Sequence, residues 1–187
     1  MEERARRIVA TAMELAEQGG FEAVRLRDVA ANAGVALGTV YRRFRGKGDL
    51  LLAALEQLVE HHEAEVARHP PAGGTPAERV ASFFELATAT LCDRPKLARA
   101  VIRAIATGEP ELTKKIAAFH TLMEDMITAA LRGEGSARAT APTAEERALA
   151  FVLQQVWFAS LIGWAGGLHG RPVIIDHVRT ATALLLR

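Results

Sequence analysis

The chain has 187 residues, half of them apolar, with 23 Lys or Arg against 22 Asp or Glu and one cysteine. That length and apolar content exclude a disordered chain and allow one helical body, or a small head on a larger one. The lone Cys92 excludes an intramolecular disulfide and a Cys-based structural zinc site, and a net charge of +1 excludes a uniformly basic chain.

The opening MEERARR is charged and has no apolar run, so no signal peptide is expected and the chain is read as cytoplasmic. A first helix is predicted over about Glu3 to Gln18, where Ala5, Ile8, Ala12, Leu15 and Ala16 recur at helical spacing and Gly19-Gly20 stops them. Phe21 and Val24 lead into a second helix at Leu26 to Asn32, and Asn32-Ala33-Gly34 closes it. A third follows at Leu37 to Phe44. A fourth starts near Gly48 or Asp49, carries Leu50, Leu51, Leu55 and Leu58, and turns polar at Glu60 to Glu65.

His69 to Gly74, HPPAGG, breaks the pattern. Thr75-Pro76-Ala77-Glu78 reads as a capping box ahead of Val80, Phe83, Phe84, Leu86 and Ala87. Asp93-Arg94-Pro95 separates that helix from one at Lys96 to Ala106, and Thr107 to Pro110 opens the next, with Leu112, Ile116, Phe119, Met123, Met126 and Ile127. Gly133 to Pro142 is a small-residue loop. Thr143 to Glu146 repeats the capping box before an apolar helix to Trp164, Gly166 to Pro172 turns the chain, and Val173 to Leu186 is the last helix. The most apolar stretch, Ala148 to Leu168, is broken by Gln154, Gln155, Gly163, Gly166 and Gly167, and reads as a buried or dimer-forming helix, not a membrane span. No repeat and no strand stands out. The fold class is all-α, about nine helices, with an N-terminal head at 1–47 and a larger body at 48–187.

Within Leu26 to Phe44, Ala30 is small where two helices cross, Gly34 suits a left-handed turn, and Val40 points back into a three-helix core. That spacing fits a helix-turn-helix. Six Arg or Lys between Gly20 and Lys47 face only Glu22 and Asp28, a basic end on a nearly neutral remainder. Leu37 to Phe44 is then the recognition helix. Ala36, Leu37, Gly38 and Thr39 offer a small, mostly apolar surface suited to thymine methyls and close backbone approach. Arg42 can reach a guanine edge or a phosphate. Thr39, Tyr41, Arg43 and Lys47 grip phosphates, helped by the free N–H groups opening the fourth helix, and Arg25 touches the neighbouring backbone. Alternatively the basic run is a solvated face and Tyr41 a core residue.

Gly20 to Leu52 resembles the DNA-binding head of the TetR family of bacterial transcriptional regulators. The resemblance rests on Asp28-Val29-Ala30, Ala33-Gly34-Val35, Gly38-Thr39-Val40-Tyr41, Phe44, Lys47 and Leu50-Leu51; Arg25 stands where the family usually has Ser or Thr. It implies a homodimer that reads a palindromic double-stranded operator and lets go when a small ligand enters the body. Within the family, Gly20 to Val24 and Val35 to Thr39 run closer to the actinobacterial repressors of steroid and cholesterol catabolism. Weaker similarity continues through Leu97 to Ala106 and Val156-Trp157-Phe158 with Leu161 and Trp164. That implies a hydrophobic effector, a steroid or acyl-CoA-like molecule. Regulation of efflux or fatty-acid metabolism by other amphipathic molecules, and activation instead of repression, stay open.

In the body, Phe83, Phe84, Phe119, Met123, Met126, Trp157, Phe158 and Leu161 are candidates to line a cavity, with Arg103 for a carboxylate or carbonyl and Gln154 for a polar group. Each is otherwise an ordinary core residue. Dimerisation through the last two helices is expected at Ala159, Ser160, Gly163 and Ala165, anchored by Trp157 or Trp164. An enzyme is disfavoured: Cys92 has no histidine near it in sequence, and no glycine-rich loop follows a strand. His61, His62 and His69 with Glu63 and Glu65 fall on a charged helix end and its loop. No cofactor or metal is expected.

Overall fold

The computed structural model describes residues 2–107, 109–133 and 141–186, so most of the loop expected from Gly133 to Pro142 lies outside the described residues. Among them are nine α-helices and no strand: α1 (Glu2–Gly19), α2 (Leu26–Asn32), α3 (Leu37–Arg43), α4 (Lys47–Arg68), α5 (Pro76–Cys92), α6 (Pro95–Ala106), α7 (Thr113–Arg132), α8 (Ala144–Ala165) and α9 (Arg171–Leu185). They form two compact units, Met1–Leu58 with Asp93–Ala117, and Val59–Cys92 with Ala118–Arg187.

In the first unit α1 packs against α2 and α6, and α2 against α3. Ile8, Ala12 and Ala16 of α1 are buried at helical spacing with Val29, Val40, Leu50 and Leu51. Each large aliphatic side chain so removed from water contributes about 1.5–3 kcal/mol. α6 is strongly two-sided: Leu97, Ala98, Val101, Ile102 and Ile105 are buried while Lys96, Arg99 and Arg103 face water. Gly34 adopts φ 63° in the turn between α2 and α3, where any side chain would be strained. The Val35 N–H returns to the Ala30 carbonyl at 3.0 Å across that turn. α4 begins at Lys47, one residue before the earlier of the two starts expected at Gly48 or Asp49, because the Asp49 carboxylate accepts the Arg45 N–H (3.0 Å) and fixes the first turn.

In the second unit α9 packs against α5 and α8. Both capping boxes form. Glu78 N–H donates to Thr75 Oγ1 (3.2 Å) while Thr75 N–H donates to Glu78 Oε2 (3.0 Å). Glu146 N–H donates to Thr143 Oγ1 (3.2 Å) and Thr143 N–H to Glu146 Oε2 (2.7 Å). The Arg132 guanidinium also grips Glu146 with two 2.7 Å bonds and, with the Thr143 N–H, holds its carboxyl down at about 2. Arg79 donates to the Ala130 and Leu131 carbonyls at 3.0 and 2.6 Å, capping the end of α7. α8 is long and apolar enough to cross a membrane by composition, yet it opens with that charged cap and buries Gln154 and Ser160 with its tryptophans. Its apolar residues run all the way round, which calls for cover on more than one side.

Candidate nucleic-acid interface and body interior

α3 is held by Val40, fully buried, and Phe44, which closes it at its C-terminal end. That orientation turns Ala36, Gly38, Tyr41, Arg42 and Arg43 outward and leaves Leu37 and Thr39 half-buried. Tyr41 is 59% exposed, which rules out the alternative of a core residue. Arg42 Nη2 lies 3.3 Å from Thr39 Oγ1, so one turn of α3 presents a guanidinium and a hydroxyl together. Arg25 caps α2 from an extended backbone with no side-chain hydrogen bond to the helix, and its guanidinium is exposed.

Beside α3 lies a concave surface of about 710 Å³ lined by Glu3, Arg4, Arg7, Thr39, Arg42 and Arg43. Four arginines around one recess make a seat for a polyanion backbone. Arg4 and Arg7 are absent from the sequence-level site. Their signal was the basic run MEERARR, whose spacing of three puts both on one face of α1.

Lys47 is less free than the sequence suggests. Its Nζ lies 3.1 Å from Glu22 Oε2 and 4.0 Å from the centroid of the Phe21 ring. Arg103 completes the same cluster, 3.0 Å from Glu22 Oε1 and 4.3 Å from that ring. Lys47, and then Arg103, hold the Glu22 carboxyl below its ordinary value. A phosphate at Lys47 must therefore compete with Glu22. Arg103 is thus corrected: it belongs to the first unit, on the charged face of α6, and is paired with Glu22 instead of facing a cavity.

The remaining expected ligand residues all lie in the second unit. Phe83, Phe84, Met123, Gln154, Trp157 and Leu161 are buried, and Phe119, Met126 and Phe158 half-buried. A run of rings links several of them: His62 to Phe83 at 5.1 Å, Phe83 to Phe84 at 5.2 Å, Phe84 to Trp157 at 5.5 Å. Trp157 Nε1 donates to Thr88 Oγ1 (2.9 Å), and Gln154 Nε2 meets His120 Nδ1 (2.8 Å). Three side chains that sequence reasoning missed as part of this interior are His62, Thr88 and Thr128. His62 is buried while His61 and His69 are exposed, and among the described residues no group of three His, Cys, Asp or Glu could hold a metal.

The expected dimer anchors need correction as well. Trp157 and Trp164 are buried, as is Ser160, so none is available to a second copy. The exposed large apolar side chains of these helices are instead Phe151, Val152 and Ile162 on α8 and Leu184 and Leu185 on α9, while Ala159 is exposed and Gly163 and Ala165 are half-buried.

Residues 8–54 match the family described as bacterial regulatory proteins, tetR family, and residues 73–185 match the tetracyclin repressor-like, C-terminal domain. The HTH-type transcriptional repressor KstR of Mycolicibacterium smegmatis is 33% identical over 162 residues, covering 87% of this chain and 76% of the relative. KstR of Rhodococcus jostii is 30% identical over 184 residues, covering 98% and 83%. A TetR transcriptional regulator from Rhodococcus sp. RHA1 superposes with a TM-score of 0.84 at 27% identity, over 100% of this chain and 96% of that one.

Proposed function

This chain belongs to the TetR family of bacterial regulatory proteins, a DNA-binding transcriptional regulator and not an enzyme; from that premise we propose that it is a repressor released from its operator by a hydrophobic effector. Residues 1–47 bind DNA, and 48–187 bind the effector and pair two copies in the cytoplasm. α3 enters the major groove with Ala36, Leu37, Gly38 and Thr39 against base edges and Arg42 at a guanine or phosphate. Tyr41, Arg43 and Arg25 hold the backbone, joined by Arg4 and Arg7, with Lys47 available once Glu22 yields it.

The observation that carries this is the arginine-lined recess beside α3, which sets phosphate-gripping charge directly against a small apolar reading surface. Two copies pair through α8 and α9, where Phe151, Val152, Ile162, Leu184 and Leu185 are exposed, so the operator is palindromic. The ring-lined interior of the second unit takes the effector. Its resemblance to the repressors of steroid and cholesterol catabolism supports a steroid or acyl-CoA-like molecule. The test is selection of genomic fragments by the purified protein, then addition of candidate effectors. A recurrent palindrome, lost on adding one hydrophobic effector class, is expected; fragments sharing no sequence would refute it.

A further inference from the structure

Most buried hydroxyl groups here are satisfied locally. Thr11 and Ser160 donate to the carbonyl four residues back, Thr182 to the one three residues back, and Thr88 accepts from Trp157. Thr128, 3% exposed in the middle of α7, does neither, and its Oγ1 has no partner. Gln154, 1% exposed on α8, has its amide nitrogen fixed against His120 while its Oε1 is unpartnered. His62, 4% exposed, meets the Phe83 ring edge-on, and neither of its ring nitrogens has a partner.

Buried polar atoms without partners are rare and destabilising. Three side chains of this kind in one unit, one of them (His62) against a ring of the run, point to groups kept for something that enters. Among the described residues this unit buries no Lys, Arg, Asp or Glu, so nothing inside it neutralises an anion.

We propose that this interior recognises an uncharged, oxygen-bearing part of the effector, with Gln154 Oε1 accepting from a hydroxyl and Thr128 and His62 bonding hydroxyl or carbonyl oxygens. The inference rests on the reading that the second unit takes the effector, and narrows its chemistry. Any anionic group of the effector stays outside this interior, because Gln154 Oε1 repels it and, among the described residues, no Lys or Arg is buried there. Burial keeps His62 neutral at physiological pH, so it too offers one donor and one acceptor and no charge.

The test uses the full chain and tryptophan fluorescence, which Trp157 reports. Neutral probes, 1-dodecanol and 17β-hydroxyandrost-4-en-3-one, are compared with the anions dodecanoate and cholate. At least one neutral probe binds, and the anion of matching skeleton binds at least about tenfold more weakly. Thr128→Val and Gln154→Leu each weaken the neutral probe by about tenfold, Thr128→Val also raises the urea midpoint, and Thr128→Ser keeps the wild-type affinity. Anions binding as tightly, variants binding like the wild type, or no probe binding would each overturn the proposal. Should the neutral probes bind in this pattern and leave operator binding untouched, effector-controlled release fails and this inference stands. Release by an anion alone would do the reverse.

Discussion

Replacing His62 with phenylalanine should change how stability depends on pH. The ring is almost wholly buried against Phe83 and unpartnered, and burial, aided by the neighbouring His61 charge, lowers its pKa from 6.5 to about 4 against a small opposing pull from Glu65. Above pH 6.5 the imidazole is neutral in both folded and unfolded chains, so it adds no pH dependence. As pH falls from 6.5 towards 4, the unfolded chain takes up a proton that the folded chain refuses, and stability is lost. At about 1.4 kcal/mol per pH unit this reaches about 2 kcal/mol by pH 5 and about 3 kcal/mol at its limit. His62→Phe removes both the titration and the unpartnered nitrogens, so the variant should also be more stable at pH 7.5 by about 1 kcal/mol. Urea unfolding of both proteins from pH 7.5 to 4.5 measures this, since the shared carboxylates cancel in the difference. A stability gap that stays constant over that range would show that burial does not hold His62 neutral in the folded chain.

Alanine at Arg4 and Arg7 together should weaken binding to all DNA sequences and reduce the log–log salt slope by about 2, read by anisotropy at several salt concentrations. Alanine at Arg43 should reduce it by about 1; an unchanged slope would remove that residue from the phosphate contacts. Thr143→Ala should lower the stability by about 1 kcal/mol in urea unfolding, because the first turn of α8 loses its cap. Glutamate at both Phe151 and Ile162 should yield monomers in sedimentation velocity and weaken operator binding by at least about tenfold, while the same change at exposed Leu168, in the α8–α9 turn, should leave the dimer intact.

The helix-turn-helix was legible because its constraints are local: Gly34 in its turn, Ala30 at the crossing, Val40 and Phe44 on the buried side. Both capping boxes were legible for the same reason. What stayed hidden depended on partners far away in the chain. Arg103 resembled a polar residue in an apolar helix until α6 showed a charged face paired with Glu22. Trp157 and Trp164 could not be told from Phe151 and Ile162 by hydropathy, since α8 is apolar all round and packing alone decides which side meets the interior. His62 sat in a charged stretch, yet the helix turned it towards Phe83. Arg4 and Arg7 joined Arg42 and Arg43 around one recess only when α1 lay beside α3.

Sequence-specific DNA binding through α3 is tested by competition at one fixed salt concentration. A genomic fragment recovered by the protein is compared with the same fragment carrying scrambled half-sites. At least about a thousandfold preference for the intact site is expected. Equal affinity for the two would contradict it.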